Sequence, residues 1–535
     1  MGTYNAASWL VDRHVAEGRA ERTALRCEGR STTYRELQAE VWRAQHALAA
    51  LGVGQGDRVA LAMVDDEALV AWFLGALRSG AVPIPLSTML TGTTLGGIVA
   101  DAEAVAVVLS AAFADRLAPI VRLAPTVANA VIADGRSPVP GPPPDAGDPP
   151  SGVTIHRWSS FTDRSEAPTA STDGSSPAFW LYSSGTTGTP KGVIHRHASL
   201  QATADTYAAG VLEVGADDRF LSIAKLFFAY GLGNSLTFPL SAGATSILNP
   251  RPPTTSEVAA LALAERPTLL FASPGFVAAL LDADLAPETF SSVRATVTAG
   301  ESLPADLHRR FSYRFRHPVL DGIGTTEALH IFLSNTRDGT RPGTSGTPVP
   351  GYEVRLLDAD DDEVSQPDTP GFLHVRGPSI AAGYWRRPEA SRAAFRDGWL
   401  RTGDVYTRSS DGYWTFLGRN NDMIKAGGIW VSPAEVEAVL VAHPDVLEAA
   451  VVGGRDDKGL EITVAHLVPR TGRTIDEASI EAHCREHMAA FKRPRRLVVA
   501  AELPRTATGK VQRYLLREQV SGGRSEGASP PGPDL

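Results

Sequence analysis

The sequence contains little cysteine. Of its 535 residues only Cys27 and Cys484 are cysteines, and they lie far apart along the chain. Two isolated cysteines supply neither a disulfide framework nor a cysteine-rich metal site. We therefore expect a protein of a reducing compartment, and the cytoplasm is the simplest such location.

Signals for membranes and export are also missing. No apolar run reaches the ~18 residues that a membrane-spanning helix needs. Residues 1–5 lack a basic region followed by an apolar stretch, so we expect no secretory signal. A membrane partner is therefore not expected.

An excess of basic residues is missing as well. The chain has 51 Lys and Arg against 60 Asp and Glu, which gives a net charge of −9. Proteins that bind nucleic acid usually carry a basic patch, so we expect no nucleic-acid partner. The hydrophobic fraction of 43% is ordinary for a globular protein, and 535 residues predict two or three domains.

Helix and strand patterns alternate through the first 130 residues. Thr33-Tyr-Arg-Glu36 is a capping box before an amphipathic helix that Gly52 ends. Residues 58–63 form a candidate buried strand, and an apolar helix follows from about residue 67 to 77. This alternation predicts βαβ units with mostly parallel sheets. We predict a large α/β N-terminal domain of layered sheets and helices over residues 1–420.

A second unit begins near Asn421. Ser432-Pro-Ala-Glu435 is another capping box with proline at the first helical position. Two strand-like runs and one helix follow, at residues 449–452, 462–468 and 479–488. We predict a small α+β C-terminal domain over residues 421–520.

Two segments have the composition of irregular structure. Residues 138–150 are rich in proline, glycine and aspartate, and we expect an exposed loop or linker there. Residues 521–535 are rich in glycine, serine and proline, and we expect a disordered tail.

A glycine-rich segment follows a short strand-like run at residues 178–181. It reads Tyr182-Ser-Ser-Gly-Thr-Thr-Gly-Thr-Pro-Lys-Gly192. Its N–H groups, hydroxyls and ammonium group suit a phosphate chain. It is no Walker A loop, because Lys191 is followed by glycine instead of serine or threonine. A solvated turn is the alternative, but the preceding strand and the density of glycine, serine and threonine favour phosphate binding.

The segment closely resembles the signature loop of adenylate-forming enzymes, which include acyl- and aryl-CoA ligases, peptide-synthetase adenylation domains and luciferases. Further matches occur in the expected order, so the resemblance covers nearly the whole chain. They are Ala299-Gly-Glu301, Asp321-Gly-Ile-Gly-Thr-Thr-Glu327, Arg401-Thr-Gly-Asp404, Gly418-Arg419 and Pro504-Arg-Thr-Ala-Thr-Gly-Lys510. The resemblance implies that the C-terminal domain is mobile and that the enzyme uses ATP, Mg²⁺ and coenzyme A.

The resemblance implies a first reaction that joins a carboxylate to the α-phosphate of ATP and expels pyrophosphate. Two anions must approach each other, which requires cations and dipoles where charge develops. Lys510 is implied to contact both anions, although a lone lysine in a loop is usually a surface charge. Glu327 is implied to bind Mg²⁺, and an ordinary helix-start residue is the alternative.

The same resemblance implies a set of nucleotide-binding residues. The phosphate contacts are Ser183, Ser184, Gly185, Thr186, Thr187, Gly188 and Lys191, with Thr326 at the α-phosphate. The adenine is bordered by Gly300, Glu301, Asp321, Gly322 and Ile323. Many relatives carry an aromatic ring at the position of Ile323, so stacking there would be aliphatic. Asp404, with two acceptor oxygens, and Arg419 are implied to bind the ribose side.

A second reaction transfers the acyl group from AMP to a thiol. In the family the C-terminal domain rotates between the reactions and replaces Lys510 with another face, here Ala426-Gly-Gly-Ile-Trp430. Gly428 would line the pantetheine tunnel, where a side chain would block the approach. The hinge of the family is usually Asp or Lys, and this chain has Asn421, which tolerates unusual backbone angles.

Two segments resemble the benzoate-CoA ligase branch specifically, at residues 226–234 and 321–335. Flat apolar walls for a ring would come from Phe228, Ala229, Tyr230, Ala299 and Ile331. Glycines would leave room beside them, at Gly300, Gly322 and Gly324. An aromatic cluster alone is more often core, but its position between the phosphate and adenine motifs favours a pocket.

Two polar residues are further candidates for the acid site. His330 could bind the carboxylate or a ring substituent, or be a satisfied structural histidine. Lys425 could meet the substrate carboxylate or be a surface charge. Benzoate, hydroxybenzoates including salicylate, and aminobenzoates all fit, because an apolar wall discriminates weakly among them.

The thiol acceptor stays open. An AMP-forming aryl-CoA ligase is the leading hypothesis, and an adenylation enzyme that loads a carrier protein is the alternative. The basic run 492–496 could meet an acidic carrier, bind the 3′-phosphate of coenzyme A, or be solvated. A silent nucleotide-binding protein is disfavoured, because it would be expected to have lost one of Lys191, Glu327, Asp404, Arg419 and Lys510. Nothing indicates the oxygen chemistry of a luciferase.

A Lys510→Ala variant should separate the two reactions. We expect it to lose acid-dependent pyrophosphate release, because no cation would neutralise charge during attack. It should still convert supplied aryl-AMP to the thioester. Loss of both reactions in a well-folded variant would refute the assignment of two faces.

Overall fold

The computed structural model describes residues 3–134, 152–184, 190–420, 422–426, 429–456, 460–505 and 511–522. The predicted loop at 138–150 therefore lies outside the described residues. So do several predicted site residues, namely Gly185, Thr186, Thr187, Gly188, Asn421, Gly428 and Lys510. Only the backbone is described for Ser184, Lys425 and Trp430.

The first part of the chain forms a five-stranded sheet from βαβ units, as the alternating patterns predict. This part of the chain has seven strands, and the last five of them form the sheet. They are β1 (Thr23–Cys27), β2 (Arg30–Thr33), β3 (Arg58–Ala62), β4 (Val82–Pro85), β5 (Ala106–Ser110), β6 (Asn129–Ala133) and β7 (Thr154–Arg157). The helices are α1 (Arg13–Ala16), α2 (Tyr34–Ala50), α3 (Glu67–Ser79), α4 (Gly92–Asp101) and α5 (Leu117–Leu123). The sheet has the order β4-β3-β5-β6-β7 and is parallel throughout.

The second sheet has nine strands and includes β1 and β2. It adds β10 (Arg219–Ser222), β11 (Thr245–Leu248), β12 (Leu269–Ala272), β13 (Ala295–Thr298), β14 (Val319–Gly324), β15 (Ile331–Ser334) and β16 (Thr347–Pro348), after the hairpin β8 (Pro177–Ser184) and β9 (Pro190–Arg196). The helices of this part are α6 (His197–Thr203), α7 (Ala229–Leu232), α8 (Phe238–Ala242), α9 (Thr255–Glu265), α10 (Pro274–Asp282) and α11 (Ala305–Phe315). Its order is β16-β15-β14-β13-β12-β10-β11-β1-β2, and the strands from β14 through to β1 are parallel.

A third region is antiparallel, in contrast to the two sheets described above. It holds β17 (Glu353–Leu357), β18 (Gly371–Arg376), β19 (Gly383–Tyr384), α12 (Pro388–Ala394), β20 (Phe395–Arg396), β21 (Trp399–Arg408) and β22 (Trp414–Arg419). The pairs β17–β18, β18–β21 and β21–β22 are all antiparallel, and β19 pairs with β9. Of these pairs, only β21 and β22 have a connection, residues 409–413, that is too short for a parallel crossover, which needs a dozen or more residues.

The C-terminal part is an α+β unit. It contains β23 (Ile424–Ala426), β24 (Ile429–Val431), α13 (Pro433–Val441), β25 (Val446–Arg455), β26 (Glu461–Pro469), α14 (Glu477–His487), β27 (Arg496–Val499) and α15 (Arg513–Gly522). The sheet order is β25-β26-β27. Helix α15 therefore includes residues 521 and 522 of the segment that we expected to be a tail.

Both predicted capping residues cap their helices. Thr33 accepts a hydrogen bond from the Glu36 N–H at 3.2 Å, and the Glu36 carboxylate accepts from the Thr33 N–H at 2.7 Å. Ser432 accepts from the Glu435 N–H at 3.2 Å. The Glu435 carboxylate, however, lies 2.8 Å from Nζ of Lys492, so it serves an ion pair.

The main core lies between the two parallel sheets. One continuous apolar cluster contains buried residues of β1, β3 and β5 together with those of α2 and α3. Helix α3 is apolar nearly all round, as expected of a helix that is covered on both sides. In the part of the chain that the structure describes, no helix is long and apolar enough to cross a bilayer.

The α2–α3 contact predicts the outcome of two glycine substitutions. A Cβ on Gly75 of α3 would lie 2.6 Å from Cβ of Ala44 and 3.1 Å from the Val41 carbonyl oxygen. We expect Gly75→Ala to destabilise the protein by about 1–3 kcal/mol, because the helices must separate. The control is Gly97→Ala in α4, where no atom lies within 4 Å of the added Cβ.

Gly97→Ala should instead stabilise by about 0.5–1 kcal/mol, because alanine loses less backbone entropy. Melting temperatures of the two variants check both signs. Equal effects of the two substitutions would contradict the proposed close packing of α2 on α3.

Candidate active site

The candidate site lies at the edge of the nine-stranded sheet where β10, β13 and β14 end. Thr298 on β13 pairs with Asp321 on β14 in parallel register. The loops that follow these strands are residues 223–228, 299–301 and 325–327. Parallel strands deliver their carboxyl ends to one edge, where α/β proteins commonly bind ligands. Three motifs that are separate in the sequence therefore meet.

The Glu327 carboxylate is surrounded by hydroxyl groups. Thr325 Oγ1 donates a hydrogen bond to Oε2, and Tyr384 Oη donates to Oε1 at 2.9 Å. Ser183 Oγ lies 3.5 Å from Oε1. Ser183 is on β8, directly before the glycine-rich loop, so the strand that carries this loop is adjacent to Glu327.

Lys191 lies on the other strand of the same hairpin. It pairs with Ser183 in the β8–β9 register, and its Nζ is 5.3 Å from the centre of the Tyr384 ring. Tyr384 pairs with Val193 through β19. A cation and a carboxylate therefore share one aromatic neighbour at the start of the loop.

Thr326 is held through its backbone by a buried histidine. His195 Nε2 donates to the Thr326 carbonyl oxygen at 2.8 Å, and the imidazole stacks on Phe179 with 5.1 Å between ring centres. Burial lowers the pKa of His195 to about 4, so the ring is neutral at neutral pH. The histidine thus fixes the loop by a hydrogen bond and adds no charge.

Sequence reasoning missed both His195 and Tyr384. The only local signal for His195 was a polar residue at a buried position of a strand. Tyr384 gave no signal, because the strand pairing that brings it to Glu327 joins distant parts of the chain. Neither residue belongs to the motifs that carried the resemblance.

Asp321 is buried in the floor of the site. Thr298 Oγ1 donates to its Oδ1 at 2.8 Å, and the Asn335 N–H donates to its carbonyl oxygen at 2.9 Å. Burial raises the pKa of Asp321 to about 8, so its carboxyl group is mostly protonated at neutral pH. Its role beside the adenine stays a prediction, and Ile323 next to it is half-buried.

We expected three glycines to leave room beside a ring. Of the three, only Gly300 has open space around the position of a Cβ. No atom lies within 4 Å of a Cβ at Gly300, whose φ is +97°. A Cβ at Gly322 would lie 2.7 Å from the Leu333 carbonyl oxygen, and one at Gly324 would lie 2.4 Å from that of His330. The last two glycines allow β15 to approach β14, so the space beside them is filled by the chain itself.

Asp404 and Arg419 form an ion pair across β21 and β22. Arg419 Nε lies 3.0 Å from Asp404 Oδ1, and Arg419 Nη1 donates to the Thr402 carbonyl oxygen at 3.0 Å. The Asp404 side chain is 4% exposed. The carboxylate raises the pKa of the Arg419 guanidinium, so the guanidinium stays charged. Their contact with a ribose stays a prediction.

The predicted aromatic wall is assembled beside these loops. Tyr230 Oη donates to the Val297 carbonyl oxygen at 3.0 Å, and its ring centre is 5.5 Å from that of His330. Phe228 and Ala229 are half-buried, whereas Ala299 and Ile331 are buried.

His330 is 3% exposed and lies among aromatic rings. Its ring centre is 4.5 Å from that of Phe238 and 5.2 Å from that of Tyr207. Nε2 lies 3.1 Å from Asn234 Oδ1, while Nδ1 is buried without a hydrogen-bond partner among the described residues. Burial lowers the pKa of His330 to about 3, so the ring is neutral. The residue is therefore neutral and anchored to Asn234 through Nε2.

The first residues of the Lys510 motif lie against the loop at 299–301. Arg505 Nη1 is 3.7 Å from Glu301 Oε1, and its Nη2 is 2.6 Å from Glu448 Oε2. Arg505 also pairs with Val511 in an isolated antiparallel bridge. Arg505 therefore brings the start of the motif to the side of the candidate site. The role of Lys510 stays a prediction.

The basic run 492–496 is largely engaged within the protein. Lys492 is paired with Glu435, as described above. Arg493 Nε donates to the Met488 carbonyl oxygen at 3.2 Å, and Arg496 Nη2 donates to that of Val520 at 3.5 Å. These contacts favour a structural role for Lys492 and Arg493, whereas Arg495 and Arg496 are exposed.

Comparison with known proteins places these features in a family. The AMP-binding enzyme family matches residues 12–385, and the AMP-binding enzyme C-terminal domain matches residues 435–510. The chain is 40% identical to a benzoate–CoA ligase of Thauera aromatica, over 96% of both chains. It is also 40% identical to a 4-hydroxybenzoate–CoA/benzoate–CoA ligase of Rhodopseudomonas palustris, over 97% of this chain and 95% of the relative.

Solved structures agree with the sequence matches. The anthranilate CoA ligase AuaEII, in complex with anthranoyl-AMP, superposes with a TM-score of 0.90 at 34% identity and covers 98% of both chains. Its large α/β domain and smaller C-terminal domain correspond to those described above. The matched residues include the loops around Ser183 and Glu327, and the chain belongs to the AMP-binding enzyme family.

Proposed function

We propose that the protein is an AMP-forming aryl-CoA ligase. It activates a small aromatic carboxylic acid with ATP, releases pyrophosphate, and transfers the acyl group from aryl-AMP to coenzyme A. One observation carries the proposal: the same sheet edge brings Glu327 and the strand of the glycine-rich loop next to the wall of Tyr230 and His330. The relatives named above act on acids of this class, which supports the same conclusion.

In the first reaction, a carboxylate oxygen of the acid attacks the α-phosphorus and the bond to pyrophosphate breaks. Lys191 and the glycine-rich loop would hold the β- and γ-phosphates, and Thr326 would contact the α-phosphate. Lys510 would neutralise the two anions as they meet. Asp404 and Arg419 would hold the ribose, and the adenine would lie beside Gly300 and its neighbours in the predicted set.

The residues present fit a magnesium ion that is shared with phosphates. The described residues contain no group of three or more His, Cys, Asp or Glu side chains that could hold a metal by itself. Glu327 offers one carboxylate ringed by hydroxyl groups. Mg²⁺ is typically held by one or two carboxylates together with substrate phosphates. Bound there, it would neutralise phosphate charge.

His330 is a candidate contact for the ring substituents of the acid. Its Nε2–H is donated to Asn234 Oδ1, whose amide nitrogen lies 3.5 Å from Ser222 Oγ. The remaining nitrogen, Nδ1, can then only accept a hydrogen bond. A carboxylate offers no proton, whereas a hydroxyl or amino group does. A neutral His330 is therefore a poor partner for the carboxylate, whereas its Nδ1 would suit a ring hydroxyl or amino group.

The second reaction would use the other face of the C-terminal domain. Gly428 and Trp430 would line the path of the pantetheine thiol, and Asn421 would act as the hinge of the domain. Lys425 would contact the carboxylate of the acid before the first reaction activates it. The alternative acceptor is a carrier protein. Lys492 is paired with Glu435, but the exposed Arg495 and Arg496 keep their charge and could meet an acidic partner.

A pyrophosphate-release assay tests the function. The panel is benzoate, 2-, 3- and 4-hydroxybenzoate, aminobenzoates, cinnamate and a medium-chain fatty acid, each with and without coenzyme A. We expect turnover that depends on coenzyme A, highest with a hydroxy- or amino-substituted benzoate. Activation without such dependence would favour carrier loading, and preference for cinnamate or the fatty acid would contradict the assigned pocket.

Tyr384→Phe should weaken the use of magnesium. The variant loses the hydroxyl that donates to Glu327 Oε1 at 2.9 Å, and partners that orient a metal ligand commonly contribute about ten-fold in metal affinity. We expect the Mg²⁺ concentration for half-maximal activity to rise about ten-fold, with the KM for the acid unchanged.

The matched control for this variant is Tyr413→Phe. It removes a hydrogen bond of similar length, 3.0 Å to the Gly339 carbonyl oxygen, away from Glu327. Its Mg²⁺ dependence should equal that of the unchanged enzyme. A Tyr384→Phe enzyme with the same Mg²⁺ dependence as this control would contradict the placement of the ion.

A further inference from the structure

The proposed wall of the acid site depends on a short segment between β10 and α7. This segment, residues 223–228, runs into Tyr230 and has no strand or helix of its own. Its central N–H, that of Leu226, donates to a side chain 161 residues earlier in the sequence. The acceptor is the carboxylate of Asp65, with 3.2 Å to Oδ1 and 3.1 Å to Oδ2.

Asp65 comes from the other parallel sheet. It follows β3 and precedes Asp66, the residue that caps α3 through the Leu69 N–H at 3.0 Å. Asp65 is 5% exposed, and its hydrogen bonds among the described residues all go to Leu226. The contact therefore ties the five-stranded sheet to the wall of a site that is built on the nine-stranded one.

The neighbour Lys225 balances the buried carboxylate. Its Nζ donates to the carbonyl oxygens of Asn249 at 2.6 Å and Arg251 at 2.7 Å, just beyond β11. Burial raises the pKa of Asp65 to about 6, while the Lys225 charge and the Leu226 N–H oppose the rise. The carboxylate is therefore mostly ionised at neutral pH.

The segment cannot relax independently of the wall. The Phe228 N–H donates to the Lys225 carbonyl oxygen at 3.0 Å, and the Leu232 N–H donates to that of Phe228 at 2.8 Å. A Cβ on Gly231 would lie 2.0 Å from the Lys225 carbonyl oxygen, so only glycine allows this approach. A shift of Leu226 is consequently passed on to Phe228 and Tyr230.

We propose that Asp65 is a positioning residue of the acid site, whose carboxylate fixes Leu226 and thereby the wall formed by Phe228, Ala229 and Tyr230. A buried carboxylate is costly unless it is paired and hydrogen-bonded. Here its hydrogen bonds hold the substrate wall, whereas the helix cap beside it is supplied by Asp66. The identity of the substrate rests on the function proposed above.

Kinetics of three variants test this role. Asp65→Leu removes the acceptor, and Asp65→Asn keeps an acceptor oxygen without the charge. Asp66→Asn is the matched control, because Asp66 is equally buried, at 4% exposed, and asparagine caps helices as well as aspartate does. We expect Asp65→Leu to raise the KM for the aromatic acid about ten-fold or more, with the KM for ATP within about two-fold.

Asp65→Asn should raise the KM for the acid less, and Asp66→Asn should leave it unchanged. A folded Asp65→Leu enzyme with an unchanged KM for the acid would overturn the proposal. Should this variant not fold, Asp65→Asn decides: a raised KM against an unchanged Asp66→Asn supports the role, and equal values overturn it.

Stability against pH gives a second readout. The pKa of Asp65 in the fold, about 6, is above its ordinary value, so the stability it contributes is present at low pH and is lost as the pH rises through about 6. The charged groups that bear on it are Lys225 and Asp66, and burial raises the pKa of Asp66 to about 7. As the pH rises from 4 to 8, the free energy of unfolding of both asparagine variants should therefore increase relative to that of the unchanged protein.

Only the Asp65 variant should combine that gain with a raised KM for the acid, which a merely structural residue would not do. If the unchanged enzyme activates no aromatic acid, the proposed function fails instead. Hydrogen exchange at the Leu226 amide then decides the contact: faster exchange in Asp65→Asn than in Asp66→Asn supports it, and equal exchange overturns it.

Discussion

The parallel register of β10, β12, β13 and β14 is the constraint on which the site depends. Parallel strands carry their carboxyl ends to the same edge, so loops about 25 to 100 residues apart in sequence become neighbours. His330 ends the loop at this edge, and β15 then returns antiparallel to β14. That return is possible because Gly322 and Gly324 let two backbones approach where any side chain would collide.

Around this edge, most buried polar groups are neutral or paired. Burial keeps the imidazoles of His195 and His330 uncharged and the carboxyl group of Asp321 mostly protonated at neutral pH. Asp404 is paired with Arg419. Among the described residues, the charged groups beside the β8–β9 hairpin include Lys191 and Glu327. The arrangement suits chemistry in which two anions must meet.

The proposed wall for the aromatic acid is held by both halves of the large domain. Tyr230 is bonded to β13 through the Val297 carbonyl oxygen, whereas the segment that leads to it is held by Asp65 from the other sheet. The α2–α3 layer lies between these sheets and sets their separation. Changes in that layer are therefore expected to reach the substrate site without contact with the substrate.

Local patterns in the sequence determined the elements of this protein. The capping box at Thr33, the buried strand at 58–62 and the helix from Glu67 follow from spacing and composition, because these depend on residues a few positions apart. The ordered motifs likewise determined the family and the candidate residues Lys191, Glu327 and Asp404. Several of the motif residues, Lys510 among them, lie outside the described part of the chain and remain predictions from sequence alone.

Only the tertiary structure decided how these residues are supported. Three hydrogen bonds join segments that are 57, 131 and 161 residues apart, namely those of Tyr384 to Glu327, His195 to Thr326 and Leu226 to Asp65. No local sequence pattern predicts contacts over such separations. The structure also showed that Gly322 and Gly324 serve strand packing. Helices, strands and caps depend on residues that are close in sequence. The partners of a buried polar group depend instead on which strands pair, and this pairing is established only when the sheets form.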